Sequence, residues 1–274
     1  MTARPLSEAD VKWLKDYAAE VEHVFGADFS EAEGRFADAQ KLIGRFRSSI
    51  QGVLDNGRSK FHAVDEAHNE LCIASALLAN RNPRFVSLEY EPVLSGTGQS
   101  IDFRATTDDG TIVYVEVKTI KPAARDRWDQ FERVRKQGLF PLNVEVAIQK
   151  EWLGGELWHS MFAARSRMLE YALELEGKIS AAGLTGEKTI IILALCGEGF
   201  HWHQDELEDL VSYCREGKHR PDDPFSKMEL NYIAENSVAL QRTLSRFACM
   251  RRPQGEIRPK RVNWNVQAPA LPAF

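Results

Sequence analysis

Apolar residues at helical spacing characterise the amino-terminal part of the chain. Over residues 11–21 they recur every three or four positions, and Ser7 followed by Asp10 matches a capping box. A second helix is predicted over residues 31–50. A third, with the strongest apolar stripe, is predicted over residues 61–80, where an Asn-Pro pair follows. The chain is therefore predicted to begin with helices.

The pattern changes to strands after the third helix. Segments rich in β-branched and aromatic residues cover 85–94, 100–106 and 111–120. Between the last two, Asp109-Gly110 is the signature of a tight hairpin turn. The sequence therefore predicts an antiparallel hairpin followed by further elements.

Those further elements alternate between helix and strand. Residues 188–196 form a continuous apolar run, which is typical of a strand buried on both faces. The other predicted elements are helices at 126–138, 157–182, 204–216 and 226–250 and a strand at 143–149. This succession predicts an α/β fold, with a mixed central sheet flanked by helices and with helical additions at both ends. The predicted regions are N-terminal helices (1–55), a core (56–200), C-terminal helices (201–250) and an extended basic tail (251–274).

Composition argues against a membrane protein. The 274 residues are 43% hydrophobic, and no stretch approaches the roughly eighteen uninterrupted apolar residues of a membrane span. The amino terminus lacks the apolar run of a secretory signal, and the four cysteines are widely spaced without a CxxC pair. We therefore expect a cytoplasmic protein with reduced thiols and no membrane partner.

Charge is distributed unevenly, although the formal net charge is only -5. Residues 118–136 carry seven Lys and Arg against three acids, and residues 242–261 carry seven against one. An acidic body with two basic patches can bind a polyanion locally. Solvated helix faces have the same composition, so charge alone leaves both interpretations open.

The predicted hairpin brings three charged residues together. With its turn centred on Asp109, Asp102 lies opposite Glu116, and Lys118 follows on the same face because side chains alternate along a strand. The other face is apolar and is expected to pack against a core: Ile101, Phe103, Val113, Val115 and Val117. The sequence thus predicts two carboxylates and one amine side by side.

Two adjacent carboxylates repel each other unless a cation lies between them. A few hard oxygen ligands with room for water and phosphate suit Mg²⁺, which lowers the pKa of bound water and neutralises charge on a phosphoryl group. A nearby lysine can stabilise the same transition state electrostatically. A solvated face with cross-strand ion pairs remains the alternative interpretation.

The pattern of Asp, a short hairpin and then Glu-x-Lys resembles the PD-(D/E)XK nuclease superfamily, which has the restriction-endonuclease-like fold. Asp102 and the segment Glu116-Val117-Lys118 carry the resemblance, which covers about residues 61–200. Members share a core of helix, three strands, helix and strand, and most are Mg²⁺-dependent nucleases. Ile101 replaces the proline that precedes the aspartate in the family pattern.

The resemblance implies roles for individual residues. Asp102 and Glu116 would be metal ligands, Lys118 the catalytic lysine, and the backbone carbonyl of Val117 a further ligand for Mg²⁺, with Mn²⁺ as a substitute. Many members also take an acid from the helix before the first core strand. Glu70 is the preferred candidate by position.

Other acids remain open for the same site. Glu66, one turn before Glu70 on the predicted helix, could take its role. Glu89 and Glu91 share a face of the 85–94 strand, and either could join the site if that face adjoins Asp102.

The expected function is a metal-dependent DNA endonuclease. Lys121, Arg125 and Arg127 of the first basic patch would contact the phosphate backbone, which would make binding strongly salt-dependent. A homodimer is a possible assembly, because cutting two strands usually needs two sites. The alternatives are a non-catalytic binding or scaffold protein with the same fold, and a hydrolase of another phosphate ester.

Overall fold

The computed structural model describes residues 6–32, 34–57, 61–120, 164–184, 188–197, 246–251, 256–259 and 261–267. The helices within these ranges are α1 (Glu8–Glu31), α2 (Ala39–Asn56), α3 (Phe61–Ala79) and α4 (Ala164–Ala181). The strands are β1 (Phe85–Tyr90), β2 (Phe103–Thr107), β3 (Ile112–Thr119), β4 (Thr189–Gly197), β5 (Arg246–Arg251) and β6 (Arg261–Gln267).

The strands form one six-stranded mixed sheet in the order β1-β2-β3-β4-β5-β6. The pairs β1–β2, β2–β3 and β5–β6 are antiparallel, whereas β3–β4 and β4–β5 are parallel. The molecule thus has the α/β architecture that the sequence predicts.

Helices cover both faces of the sheet. One apolar cluster joins α1, α2 and α3 to the face that carries Phe103 and Val115, and a second joins α4 to the face that carries Tyr114. Ile101 is buried in the second cluster, although alternation with Phe103 predicted it on the first face. Since β2 begins only at Phe103, Ile101 lies outside the strand and does not follow its alternation.

The predicted helix signals at α1 and α3 are confirmed. The Ser7 side chain accepts from the backbone N–H of Asp10, and the Asp10 carboxylate accepts from that of Ser7 at 3.1 Å, which satisfies two exposed helix donors. The predicted stripe on α3 is buried throughout: Val64, Ala67, Leu71, Ala74 and Leu78.

The predicted register of the hairpin is also confirmed. Phe103 lies opposite Val115 and Arg104 opposite Tyr114. Gly110 in the turn has a φ of 82°, which glycine adopts without steric cost.

The second helix was predicted at the wrong position. Residues 31–50 were expected to be helical, but α1 continues to Glu31 and α2 begins at Ala39. Between them Gly34 has a φ of 79° and Phe36 forms a bridge to Leu88 of β1. The chain therefore needs a turn here that helical periodicity does not reveal.

The end of the predicted 226–250 helix is also wrong. Residues 246–251 form β5, because pairing with β4 and burial of Phe247 and Met250 favour an extended segment there. In the predicted tail, β6 pairs with β5 and so belongs to the sheet. The elements predicted at 126–138, 143–149 and 204–216 lie outside the described residues.

Among the helices that the structure describes, none combines the length and apolar character that crossing a membrane requires.

Candidate functional site

Asp102 is fixed at the point where β2 begins. Its Oδ2 accepts a hydrogen bond from the backbone N–H of Val117 at 2.6 Å, and its backbone carbonyl accepts one from Glu91 at 2.8 Å. The aspartate therefore lies beside β3, next to the two residues that follow Val115 in the hairpin register. This arrangement joins the acid of one strand to the Glu-x-Lys segment of the other.

Glu116 is a buried carboxylate that faces α4. Its Oε1 lies 3.1 Å from Nζ of Lys118 and 2.7 Å from Nζ of Lys178. Its Oε2 is buried and has no hydrogen-bond partner among the described residues. A buried oxygen in this condition is costly, and a bound cation or ordered water is the usual solution.

Asp102 lies in an environment that disfavours its charged form. Burial raises its pKa well above the usual value, and the charges of Glu116 and Glu70 raise it further. The hydrogen bond from Val117 and the charge of Lys118 lower it but do not compensate. Sequence reasoning placed Asp102, Glu116 and Lys118 together, and the structure brings these three groups within electrostatic reach of one another.

Glu70 projects from α3 and is 4% exposed. Its Oε1 lies 3.0 Å from a guanidinium nitrogen of Arg45, and its Oε2 accepts from the Tyr90 hydroxyl at 2.8 Å. Burial is the main cause that raises its pKa to about 7, against the opposing charge of Arg45. The charge of Glu70 raises the pKa of Asp102, and the charge of Glu66 raises the pKa of Glu70.

Two site residues on α4 were missed by sequence reasoning. Glu174 lies 3.1 Å from Nζ of Lys118 and 3.7 Å from Nζ of Lys178, one turn further along the helix. Together with Glu116 these residues form a closed ring of alternating charge, Glu116–Lys118–Glu174–Lys178, which we call the charge ring. The i,i+4 acid–lysine spacing was visible in the sequence, but it is common on exposed helices.

The strand acids left open by the sequence are engaged elsewhere. Glu89 pairs with Arg104 at 3.2 Å, and Glu91 pairs with Arg45 and Lys41, each at 3.2 Å. Glu91 therefore belongs to the surroundings of Glu70, while Glu89 lies in a separate ion pair.

The donor set fits a hard cation. Asp102 and Oε2 of Glu116, which has no partner in the part of the chain that the structure describes, offer carboxylate oxygens, which Mg²⁺ prefers. The carbonyl of Val117 points to the same side of β3 as its N–H, and that N–H faces Asp102. Within the described residues, however, no three His, Cys, Asp or Glu side chains form a ready metal-binding group. A cation site here would therefore use two carboxylates and backbone or water ligands.

The expected phosphate contacts, Lys121, Arg125 and Arg127, lie outside the described residues. What the described part offers chemically is a buried carboxylate, Glu116, a half-buried one, Asp102, an amine in contact with Glu116 and an oxygen available to a cation. No protein-family model, curated protein or solved structure matches the chain at a significant level.

Proposed function

We propose that this chain is a Mg²⁺-dependent nuclease that hydrolyses phosphodiester bonds as a DNA endonuclease. The observation that carries the proposal is the cluster of Asp102, Glu116 and Lys118, in which one oxygen of the buried Glu116 has no partner in the described chain. Burial and the charges of Glu116 and Glu70 raise the pKa of Asp102, and an acid perturbed by burial and a neighbouring charge is a functional-site candidate.

The order of elements supports a restriction-endonuclease-like core. Along the chain α3 is followed by β1, β2 and β3, and among the described elements α4 and β4 come next. This is the succession of helix, three strands, helix and strand that the sequence resemblance implies. Glu116 and Lys118 lie on the third of these strands, and Asp102 immediately precedes the second.

The side chains have separate tasks in this mechanism. Asp102 and Glu116, with the Val117 carbonyl, would hold the cation, which when bound would lower the pKa of a water and offset charge on the phosphoryl group. Lys118 is held by Glu116 and Glu174 in a position where its charge can stabilise the transition state or orient the attacking water. Burial lowers the pKa of Lys118, but Glu116 and Glu174 together raise it by more and so keep the amine protonated.

A cleavage assay tests the proposal. Purified protein is incubated with supercoiled, linear and single-stranded DNA and with RNA, in Mg²⁺, Mn²⁺ or EDTA. We expect DNA cleavage that needs the metal and falls by a factor of at least about 10³ in Asp102→Asn. This variant keeps an oxygen that can accept from Val117 and removes a repelled charge, so its free energy of unfolding is expected to equal or exceed that of wild type.

Glu89→Gln is the matched control, since Glu89 is also an acid of this sheet but pairs with Arg104 outside the cluster. Its activity is expected to stay within about twofold of wild type. A wild-type protein that leaves every DNA and RNA substrate intact contradicts the proposal.

A non-catalytic protein with the same fold is the second candidate, and the charge ring favours it. The ring pairs Glu116 with two lysines, so the cluster is partly neutralised without any metal. Such a protein has no hydrolytic activity for Asp102→Asn to remove, whether polymers or small phosphate esters are offered.

A further inference from the structure

Lys178 makes the shortest ion pair of the site. Its Nζ lies 2.7 Å from Oε1 of Glu116, closer than Nζ of Lys118 at 3.1 Å. The side chains are largely shielded, with 19% of Lys178 and 4% of Glu116 exposed, so solvent screens this pair less than a surface pair. Lys178 is therefore a strong local charge at a predicted metal ligand.

Lys178 is also held in place from its own helix. Glu174 lies one turn earlier on α4 and contacts Nζ of both Lys178 and Lys118. Glu174 pairs with both amines. The positive charges that contact Glu116 are therefore held both by α4, which carries Lys178 and Glu174, and by β3, which carries Lys118. The ring has no net charge: its two acids and two lysines balance.

We propose that Lys178 is the internal counter-ion of Glu116, so that the positive charge of Lys178 opposes the binding of a divalent cation at the Asp102–Glu116 site. This inference rests on the proposed metal site and adds its regulation: Lys178 sets the metal concentration at which the site fills. Lys118 carries out the chemistry, whereas Lys178 acts only through Glu116 and the electrostatic potential at the site.

The direction in which the removal of Lys178 changes cation affinity distinguishes this role from mere orientation of Glu116. A unit charge about 5 Å from a divalent ion changes its binding by tenfold or more at the effective dielectric constants of protein sites. Removing Lys178 should therefore strengthen cation binding, because Glu116 is still held by Lys118. If Lys178 only oriented Glu116, its removal would weaken cation binding.

Calorimetric titration with Mn²⁺ alone, without nucleic acid, tests the proposal on the full chain. We expect Lys178→Met to bind Mn²⁺ at least about tenfold more tightly than wild type, and Lys178→Arg to bind as wild type does. Lys178→Gln, which keeps a hydrogen-bond donor and disturbs packing less, should show the same strengthening if the Met variant does not fold.

Two control variants show whether the measured heat of Mn²⁺ binding comes from the Asp102–Glu116 site. Lys188→Met removes an exposed lysine that contacts only the hairpin turn, through the Asp109 carbonyl at 3.2 Å among the described contacts, and should leave Mn²⁺ binding unchanged. Asp102→Asn added to Lys178→Met should abolish the tight binding.

Equal or weaker Mn²⁺ binding by both the Met and the Gln variant overturns the inference. If wild type still cuts DNA in a metal- and Asp102-dependent manner, the proposed function stands and only the role of Lys178 is lost. If neither wild type nor any Lys178 variant binds Mn²⁺ or cuts DNA, both proposals fail together.

Discussion

Glu70 and Asp102 are acids that the fold holds at a cost. Glu70 is buried and Asp102 is half-buried, each near other carboxylates, and the pKa of each is raised for that reason. Arg45 and Tyr90 offset the cost at Glu70 but do not cancel it. A chain that retains such a cluster gives up stability at neutral pH, and proteins commonly do so at functional sites.

This cost predicts the pH dependence of stability. The pKa of Glu70 is about 7 in the folded chain and near 4.5 when unfolded, so the native state binds the proton more tightly between these values. The stabilisation that this proton gives the folded state is complete below about pH 4.5 and is lost as the pH rises through 7. Relative to Glu70→Gln, the free energy of unfolding of wild type should therefore fall between pH 5 and pH 8, by of order 1–3 kcal/mol.

Urea unfolding at several pH values measures this difference, with Glu89→Gln as a control for the loss of an acid of this sheet that pairs with Arg104 outside the cluster. A wild-type protein that becomes more stable than Glu70→Gln as the pH rises contradicts the electrostatic account of Glu70.

The sequence could predict the part of the site that lies on one hairpin. Asp102, Glu116 and Lys118 are joined by strand alternation and a tight turn, which are local rules. Lys178 and Arg45 could not be found in this way, since their contacts depend on how α4 and α2 pack against the sheet. No periodicity in a single chain contains that information.

At the scale of elements, α3 links the site to the opposite end of the chain. His68 is buried, and its Nε2 lies 2.7 Å from the carbonyl oxygen of Ile257, in the segment 256–259 that precedes β6. Nε2 must donate to this carbonyl, so Nδ1 accepts from the Tyr17 hydroxyl of α1. One histidine therefore ties α1, α3 and the 256–259 segment together.

We expect His68→Leu to lower the free energy of unfolding by about 2–3 kcal/mol, because the Ile257 carbonyl and the Tyr17 hydroxyl both lose a buried partner. His62→Leu is the matched control, since His62 lies on the same helix but is exposed, and its effect should stay within about 0.5 kcal/mol. Urea unfolding distinguishes the two. Equal stability of His68→Leu and wild type would contradict the proposed link.

Elements with strong local sequence signals could be predicted, whereas the others depend on pairing between segments that are distant in the sequence. The capping box of α1, the stripe of α3 and the apolar run of β4 are readable from a single sequence. By contrast, Phe247–Met250 form an uninterrupted buried run that suits either a helix or a strand, and only pairing with β4 decides between them.

At the scale of the whole molecule, the described sheet takes its strands from residues 85–267, and the described elements before residue 85 are helices. The hairpin with the acids lies toward one edge, while β5 and β6 extend the sheet at the other edge, beyond β4. Outside residues 56–200, α1, α2 and β5 contribute to the same apolar cluster as α3 and β3, and β5 and β6 belong to the same sheet. Because α1–α3 cover one face and α4 the other, Glu116 lies between the sheet and α4, where solvent screens its charge poorly.

Asp102 and Glu116 are proposed to hold a divalent cation. A crystal structure of the chain grown with Mn²⁺, with anomalous scattering measured at the manganese edge, tests it directly. We predict an anomalous peak within about 2.0–2.3 Å of Asp102 and of Oε2 of Glu116, with the Val117 carbonyl as a further ligand. A crystal soaked at high Mn²⁺ concentration that has no peak there, and in which both lysines remain on Glu116, would contradict the account.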